Sequence, residues 1–411
     1  MGFLPDRWCL VLLVVACALL PASLSASAYD YPLKNPYAAT IIGTPVELKA
    51  KLPNKVREKD LVLPPLPGRK IPRLFWYQQG FRYSLAYQKQ KAPLIFVIAG
   101  TGASYKSPKV QALKRAFYQA GFHVVCLTSP TIENFIVTAS SSGMPGNIQE
   151  DSADLYRVMA RIYDRIQRRV EVSEFYLTGY SLGGAQAAFI SKLDEQQQVF
   201  SFRKVLMINP PLNLYNSVGV LDKMLEENIP GGLDNFSDFF NKVITRFSEV
   251  YKESDWLIFN NNFLFRVYEK NNPTEANMKA VIGTSFRASA ANMVFTADVV
   301  NNAGYILPRN LQLSATDSTT DYLKVAFHTS FRNYFDELFT PFFQRREPGL
   351  TRQELIRRLS LASIETYLAK TGKVGMFHNA DDPILTPDEL LYLSRVLGPR
   401  AGIYPIRRSL R

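Results

Sequence analysis

The chain has 411 residues, 47% apolar and 20% charged, which excludes general disorder and fibrous repeats and suits two ordinary domains or one large domain with an insertion. Three cysteines exclude a disulfide framework, because Cys9 and Cys17 lie in an N-terminal apolar run and Cys126 is left without an internal partner. The formal charge of +12 favours anionic surfaces or substrates, but Lys and Arg are spread through amphipathic segments with no basic stripe and no zinc-ligand spacing, which speaks against nucleic acid.

Residues 1–28 read as an export signal: Arg7 in a short polar lead, an apolar stretch over 8–20, then Pro21 and Ala26-Ser27-Ala28. The mature chain would then begin near Tyr29, and a periplasmic or secreted protein is expected. The apolar stretch is shorter than the roughly 20 residues a spanning helix needs, so no permanent membrane span is expected. Val14-Val15-Ala16-Cys17 also resembles a lipoprotein processing box, which makes a lipid anchor at Cys17 the alternative.

Residues 29–72 are rich in Pro and Lys without a sustained period and predict an extended lead-in. The pattern then tightens. A continuous apolar run over 94–98 ends at Ala99-Gly100-Thr101-Gly102, helical spacing follows over 109–120, and a second run covers 123–127. An amphipathic segment over 148–169 leads to a third run at 174–178, and a fourth over 204–209 ends on Pro210-Pro211. A fifth run comes at 373–377, then a helical pattern over 387–397 and a short last run at 401–406. Short all-apolar strands alternating with helices predict an α/β protein with a mostly parallel central sheet covered by helices, its core drawn from 73–211 and 372–411.

Residues 212–371 have another character, with helical patterns around 235–269, 273–302, 319–346 and 351–370, and read as a helical cap inserted into that core. Phe239, Phe240, Phe247, Phe263, Phe265, Phe327, Phe331, Phe335, Phe339, Phe342 and Phe343 exceed what a narrow helical seam requires. Packing within the insertion explains them, and so does a greasy lid over a pocket for acyl chains; the two are compatible.

The third run is followed by Gly179-Tyr180-Ser181-Leu182-Gly183-Gly184 and then by good helix formers. A serine on a sharp strand-to-helix turn is held in a strained conformation, and only glycines at positions 179 and 183 let the chain pass that close to itself. The hydroxyl is thereby presented at the carboxyl edge of the sheet, with a helix N-terminus behind it. On these residues the sequence resembles the α/β-hydrolase superfamily, over about residues 90–405. The resemblance implies Ser181 as nucleophile, Gly179 and Gly183 as the elbow glycines, and an oxyanion hole from the amides of Leu182 and Thr101. A phosphate-cradling loop is disfavoured, since Gly100-Thr101-Gly102 lacks the Lys-Ser/Thr ending and the further glycine.

His378-Asn379-Ala380-Asp381-Asp382-Pro383 looks like the family's acid turn, with Asp382 as the acid and Asp381 second. An N-cap or turn role ahead of 387 is the plain alternative. As metal ligands, His378, Asp381 and Asp382 crowd together without a distant fourth partner, so neither metal nor cofactor is expected. The family pattern also wants a histidine after the last strand, and here the sequence departs from it. His123, His328 and His378 all precede Asp382, and residues 407–411 read Arg-Arg-Ser-Leu-Arg. Encoded CGG-CGG-TCA-TTG-CGG, those five residues would read Gly-Gly-His-Cys-Gly one nucleotide on. The expectation is a catalytic histidine in an altered or lost C-terminal segment, and an impaired hydrolase as given. His378 as the base would need an unusual geometry.

The reading is an exported serine hydrolase of carboxylic esters or thioesters with an apolar acyl group, acting on a small-molecule or lipid substrate with transient membrane-surface contact. A peptidase or amidase is the alternative enzyme, and a non-catalytic exported binding protein on the same scaffold is the alternative from another class.

Overall fold

The computed structural model describes residues 33–44, 48–239, 241–242 and 272–404; the stretch read as an export signal, residues 405–411 and part of the 235–269 pattern lie outside these. The apolar runs form strands of one eight-stranded sheet: β1 (Glu58–Leu63), β2 (Phe81–Ala86), β3 (Ala92–Ile98), β4 (His123–Leu127), β5 (Val172–Tyr180), β6 (Lys204–Ile208), β7 (Val374–Asn379) and β8 (Ala401–Tyr404). Their order is β1-β2-β4-β3-β5-β6-β7-β8. β2 pairs antiparallel with β1 and β4, and every other pair is parallel. The order reverses between β4, β3 and β5, the kind of switch point beside which open α/β sheets hold ligands at their carboxyl edge.

Two regular elements lie where the sequence reads as an extended lead-in. β1 opens with Glu58-Lys59-Asp60 and buries only Leu63, so its charges guard an open edge and hide its strand character. A short helix, Pro36–Ile42, is capped by the Asn35 side chain, which accepts from the Tyr37 and Ala38 amides, and its Ile42 packs with Met278.

Two apolar clusters sit on opposite faces of the sheet. One joins Leu177, Val205, Met207, Val374 and Met376 to the helices that follow in sequence. The other joins Ile95, Val97, Val124 and Cys126 to α1 (Pro108–Gln119), which lies over β3 and β4. On the first face lie α2 (Ile148–Ile166), α3 (Leu182–Gln197) and, later in the chain, Leu393 and Leu397 of the helix Pro387–Leu397. α2 and α3 pack side by side, as crossover helices on a parallel sheet do.

Between β6 and β7 the chain builds helices over the carboxyl edge, chiefly α4 (Leu214–Glu226) and α5 (Glu275–Asn301). Arg287 on α5 donates to Asp222 and Glu226 on α4, both at 3.0 Å, with the Arg287 and Asp222 side chains each only 3% exposed. The insertion's aromatics pack on one another, Phe335 against Phe339 with ring centroids at 5.4 Å and Phe339 against Phe343 at 4.7 Å. Packing therefore accounts for this part of the Phe-rich pattern. Phe240, Phe247, Phe263 and Phe265 lie outside the described residues.

At the start of α2, Asp151 is 1% exposed and accepts from the Gly146 amide at 2.8 Å. Burial holds its carboxyl well above the usual carboxylate range, with the charges of Asp154 and Glu150 pushing the same way and the Gly146 bond opposing them. The unfolded chain releases this proton near pH 4, whereas the folded chain keeps it longer. The stability it lends is therefore full below about pH 4 and falls as pH rises towards the folded value. Asp151→Asn should remove that decline. Urea midpoints measured from pH 4 to 8 should show the variant gaining on the parent as pH rises, and parallel curves would exclude an ionisation here.

Candidate active site

Ser181 follows the last residue of β5 and caps α3 with φ 53° and ψ −127°, a left-handed conformation that costs a non-glycine residue on the order of 1–3 kcal/mol. What enforces it is the closeness of backbone on both sides. A β-carbon on Gly179 would fall 2.3 Å from the Gly183 carbonyl oxygen, and one on Gly183 would fall 2.5 Å and 2.7 Å from the Ile98 and Ala99 carbonyl oxygens. Strand, turn and helix thus meet without room for side chains at the two positions the motif marks. Gly100 is similarly pressed, with the Tyr180 ring 2.8 Å from where its β-carbon would lie. The Ser181 side chain is half-buried, and among the described residues its Oγ has no hydrogen-bond partner.

The loop after β3 lies against this elbow. The Gly102 amide donates to Thr131 Oγ1 at 2.9 Å, and Thr131 in turn is bonded to Ser129 Oγ at 3.0 Å. The Thr101 amide donates to no acceptor among the described residues, and the same holds for the Leu182 amide at the first turn of α3. Two unspent N–H groups therefore flank the Ser181 turn. Gly102 has φ +67°, and a β-carbon there would fall 2.5 Å from Ser289 Oγ, so α5 rests directly on this loop.

Asp382 lies past the end of β7 on the same carboxyl edge. The Ser181 amide donates to the Ile208 carbonyl at 2.8 Å; the next residue, Asn209, donates its amide to the Phe377 carbonyl at 2.8 Å. Asn209 Nδ2 then donates to Asp382 Oδ2 at 2.9 Å, and the Ile384 amide donates to Oδ1 at 3.0 Å. Serine and aspartate are so joined through two successive residues, Ile208 and Asn209, the second held at φ +46°. Burial pushes the neighbouring Asp381 carboxyl up, and the Asp382 charge adds to the effect. Sequence reasoning missed Asn209 and Thr131, since nothing local marks either.

None of the three histidines hydrogen-bonds to Ser181. His123 begins β4 at the opposite edge, where Nδ1 accepts from the Gln88 amide and Nε2 donates to the Glu171 carbonyl, and burial lowers its pKa. His328 is exposed, with Nε2 3.3 Å from Ser237 Oγ. His378 is buried on β7; Nδ1 donates to the Asn379 carbonyl at 2.9 Å, and Nε2 lies 4.0 Å from Asp382 Oδ2 without a hydrogen bond. It stands behind the acid and is closed off from solvent.

The strand order and the elbow are those of the α/β-hydrolase fold. No family model and no curated protein matches the sequence. Among solved structures the chain is similar to a hyperthermophilic esterase from the archaeon Pyrobaculum calidifontis, at 14% identity and TM-score 0.38, covering 90% of this chain and 78% of that one. It is similar also to brefeldin A esterase, a bacterial homologue of human hormone-sensitive lipase, at 12% identity and TM-score 0.39, covering 90% and 73%. Carboxyl esterase 2 from the fungus Tuber melanosporum gives 14% identity and TM-score 0.39, covering 87% and 78%. These likenesses are too low to speak to substrate, and the fold rests on the topology and geometry above.

Gly183→Ala would force a methyl group into the carbonyl oxygens of Ile98, the last residue of β3, and of Ala99 after it, with no flexible side chain to yield. It should destabilise the protein by about 3 kcal/mol or more. Urea denaturation followed by circular dichroism measures it, and a loss below about 1 kcal/mol would show that the elbow relaxes freely.

Proposed function

We propose that the protein is an exported serine hydrolase that cleaves a carboxylic ester or thioester of an apolar acyl group. One observation carries the reading: a serine hydroxyl at a strained turn, half-buried and without a hydrogen-bond partner among the described residues, between two backbone amides that also have none there. Ser181 Oγ would attack the carbonyl carbon and form an acyl-serine, which water then releases. The Leu182 and Thr101 amides would receive the developing oxyanion, each worth about 3 kcal/mol in the transition state. Asp382, held by Asn209 and Ile384, would orient and stabilise an imidazolium. Export rests on the sequence pattern of residues 1–28 alone, and a lipid ester on the aromatic insertion and the basic charge.

No histidine of the chain occupies the base position, so the serine is a weak nucleophile and turnover would be impaired by orders of magnitude. That same observation favours the second reading, a non-catalytic binding protein on this scaffold. A fluorophosphonate probe separates the two, because it reports the serine itself. The enzyme reading expects slow labelling that accelerates when free imidazole is added and vanishes in Ser181→Ala. Absence of any Ser181-dependent adduct with imidazole present would leave the binding reading. For the labelled enzyme, p-nitrophenyl esters against peptide amides distinguish an esterase from an amidase.

A further inference from the structure

The chain between β1 and β2 is fastened along the short helix Glu133–Thr138. The Leu66 amide donates to the Thr138 carbonyl at 3.0 Å and Arg69 Nη2 to the Ile136 carbonyl at 3.0 Å. Asn134 Nδ2 donates to Gln78 Oε1 at 2.6 Å and to the Gly80 carbonyl at 2.9 Å, and the Arg82 amide returns to Asn134 Oδ1 at 2.9 Å. Within this loop Ile71, Leu74 and Phe75 turn into the core, and the next two residues turn out. Trp76 is 62% exposed, the most of any large apolar side chain among the described residues; Tyr77 is 42% exposed, its ring edge-on to the indole at 6.2 Å. Val62, 48% exposed, borders the end of the same loop, where a β-carbon on Gly80 would fall 2.7 Å from its Cγ1. A fixed loop thus holds three apolar side chains in water, unlike the scattered exposure that any surface shows.

The free charges around these side chains are of one sign. Arg73 opens the 3-10 turn that Trp76 closes, and side chains three apart in such a turn eclipse, so guanidinium and indole share a face. Lys70 precedes them on the loop, and Arg82 lies opposite Val62 in the β1–β2 register. All three cations are exposed, and none is paired with a carboxylate among the described residues. Glu133 is engaged instead: it accepts from the Tyr77 hydroxyl at 2.7 Å and from Gln78 Nε2 at 2.5 Å. The loop also lies at the edge of the sheet that carries the candidate site. β2 runs antiparallel to β4, so the residues before Phe81 sit where β3 and β4 end. Thr131, which receives the Gly102 amide, comes two residues before Glu133.

We infer that Trp76 and Tyr77, with Lys70, Arg73 and Arg82 around them, form a docking surface for an anionic phospholipid membrane on the same sheet edge as Ser181. Indole and phenol rings settle at the headgroup level of a bilayer, and each cation held near an anionic leaflet strengthens binding about fivefold. A protein partner fits less well, because protein interfaces are depleted of lysine. The inference deepens the lipid-ester reading of Ser181 and rests on it for its purpose. An ester with an apolar acyl group dissolves in the bilayer, and a surface that brings the carboxyl edge to the lipid brings the serine to that ester. The docking itself does not require the serine to react.

Trp8→Phe with Trp256→Phe leaves Trp76 as the one tryptophan of the full chain, so its emission reports this loop whatever the apolar stretch over 8–20 does. In dilute protein the emission should be that of a wet indole, open to acrylamide. Vesicles of phosphatidylglycerol with brominated acyl chains should shift it to the blue and quench it, and brominated phosphatidylcholine should quench at least about fivefold less. Lys70→Glu with Arg73→Glu, both at exposed positions, should lower the phosphatidylglycerol quenching by at least about fivefold, and added salt should weaken it in the parent. Emission indifferent to vesicles, or quenching indifferent to the charge reversal, overturns the inference. So does an indole already shielded in dilute protein, which would mean that the chain covers the loop itself. A blue shift that grows with protein concentration alone would overturn it too, giving the surface to a second copy. Ser181→Ala should keep the quenching. Quenching without a Ser181-dependent fluorophosphonate adduct would uphold the docking and remove the hydrolase; an adduct without quenching would do the reverse.

Discussion

A glycine at position 183 lets the backbone of α3 come to rest on the ends of β3, where a β-carbon would fall 2.5 Å from the Ile98 carbonyl oxygen. Much of the candidate site follows from that approach. The register Ile98 to Gly179 fixes how far β3 and β5 extend together, so the chain leaving β5 must turn within one residue to start its helix. That residue is Ser181, and the turn throws its φ positive. The same closeness brings the first amide of α3 beside the loop after β3, whose Thr101 amide is unspent because Gly102, not Thr101, donates to Thr131. The strain at one serine and the pairing of two donors are consequences of one packing requirement. They need no separate explanation from chemistry.

This is why the site was partly legible in the sequence. Gly-x-Ser-x-Gly is a local solution to a local clash, and it can be read wherever a strand run precedes it and helix formers follow. Asp382 was legible for a similar reason, since its turn chemistry lies within a few residues. The runs at 94–98 and 123–127 gave away their strands because burial on both faces leaves them apolar apart from His123 at the start of the second. Asn209 had no such signal. Before Pro210-Pro211 it reads as the end of a strand, and its meaning depends on a carboxylate 173 residues later. β1 was hidden by the opposite circumstance: an edge strand keeps its charges, and three of its first residues are polar.

The net charge of +12 is not gathered at the site. Many cations are spent in exposed pairs, such as Arg352 with Asp336 and Arg358 with Glu347 and Glu354, and pairs of that kind contribute little to stability. At the carboxyl edge the unspent amides of Leu182 and Thr101 lie beside Ser181, Asp381 and Asp382 follow β7, and Lys109 lies over the Tyr180 ring at 5.7 Å. Lys204 and Arg400 stand at the other end of the strands, with carbonyls for partners.

The two faces of the sheet are unequally covered among the described residues, and this bears on the site through β6. This strand carries Ile208, whose carbonyl receives the Ser181 amide, and hands the chain to Asn209, which holds Asp382. One face of β6 is packed by α3, while Leu206 and Ile208 on the other are only half-buried. Among the described residues the serine end of the linkage therefore rests on a strand buried on one side, whereas the loop carrying Thr101 rests on β3, buried on both. Covering Leu206 would remove apolar surface from water at about 25 cal/mol per Å² and stiffen the segment that spaces serine from acid.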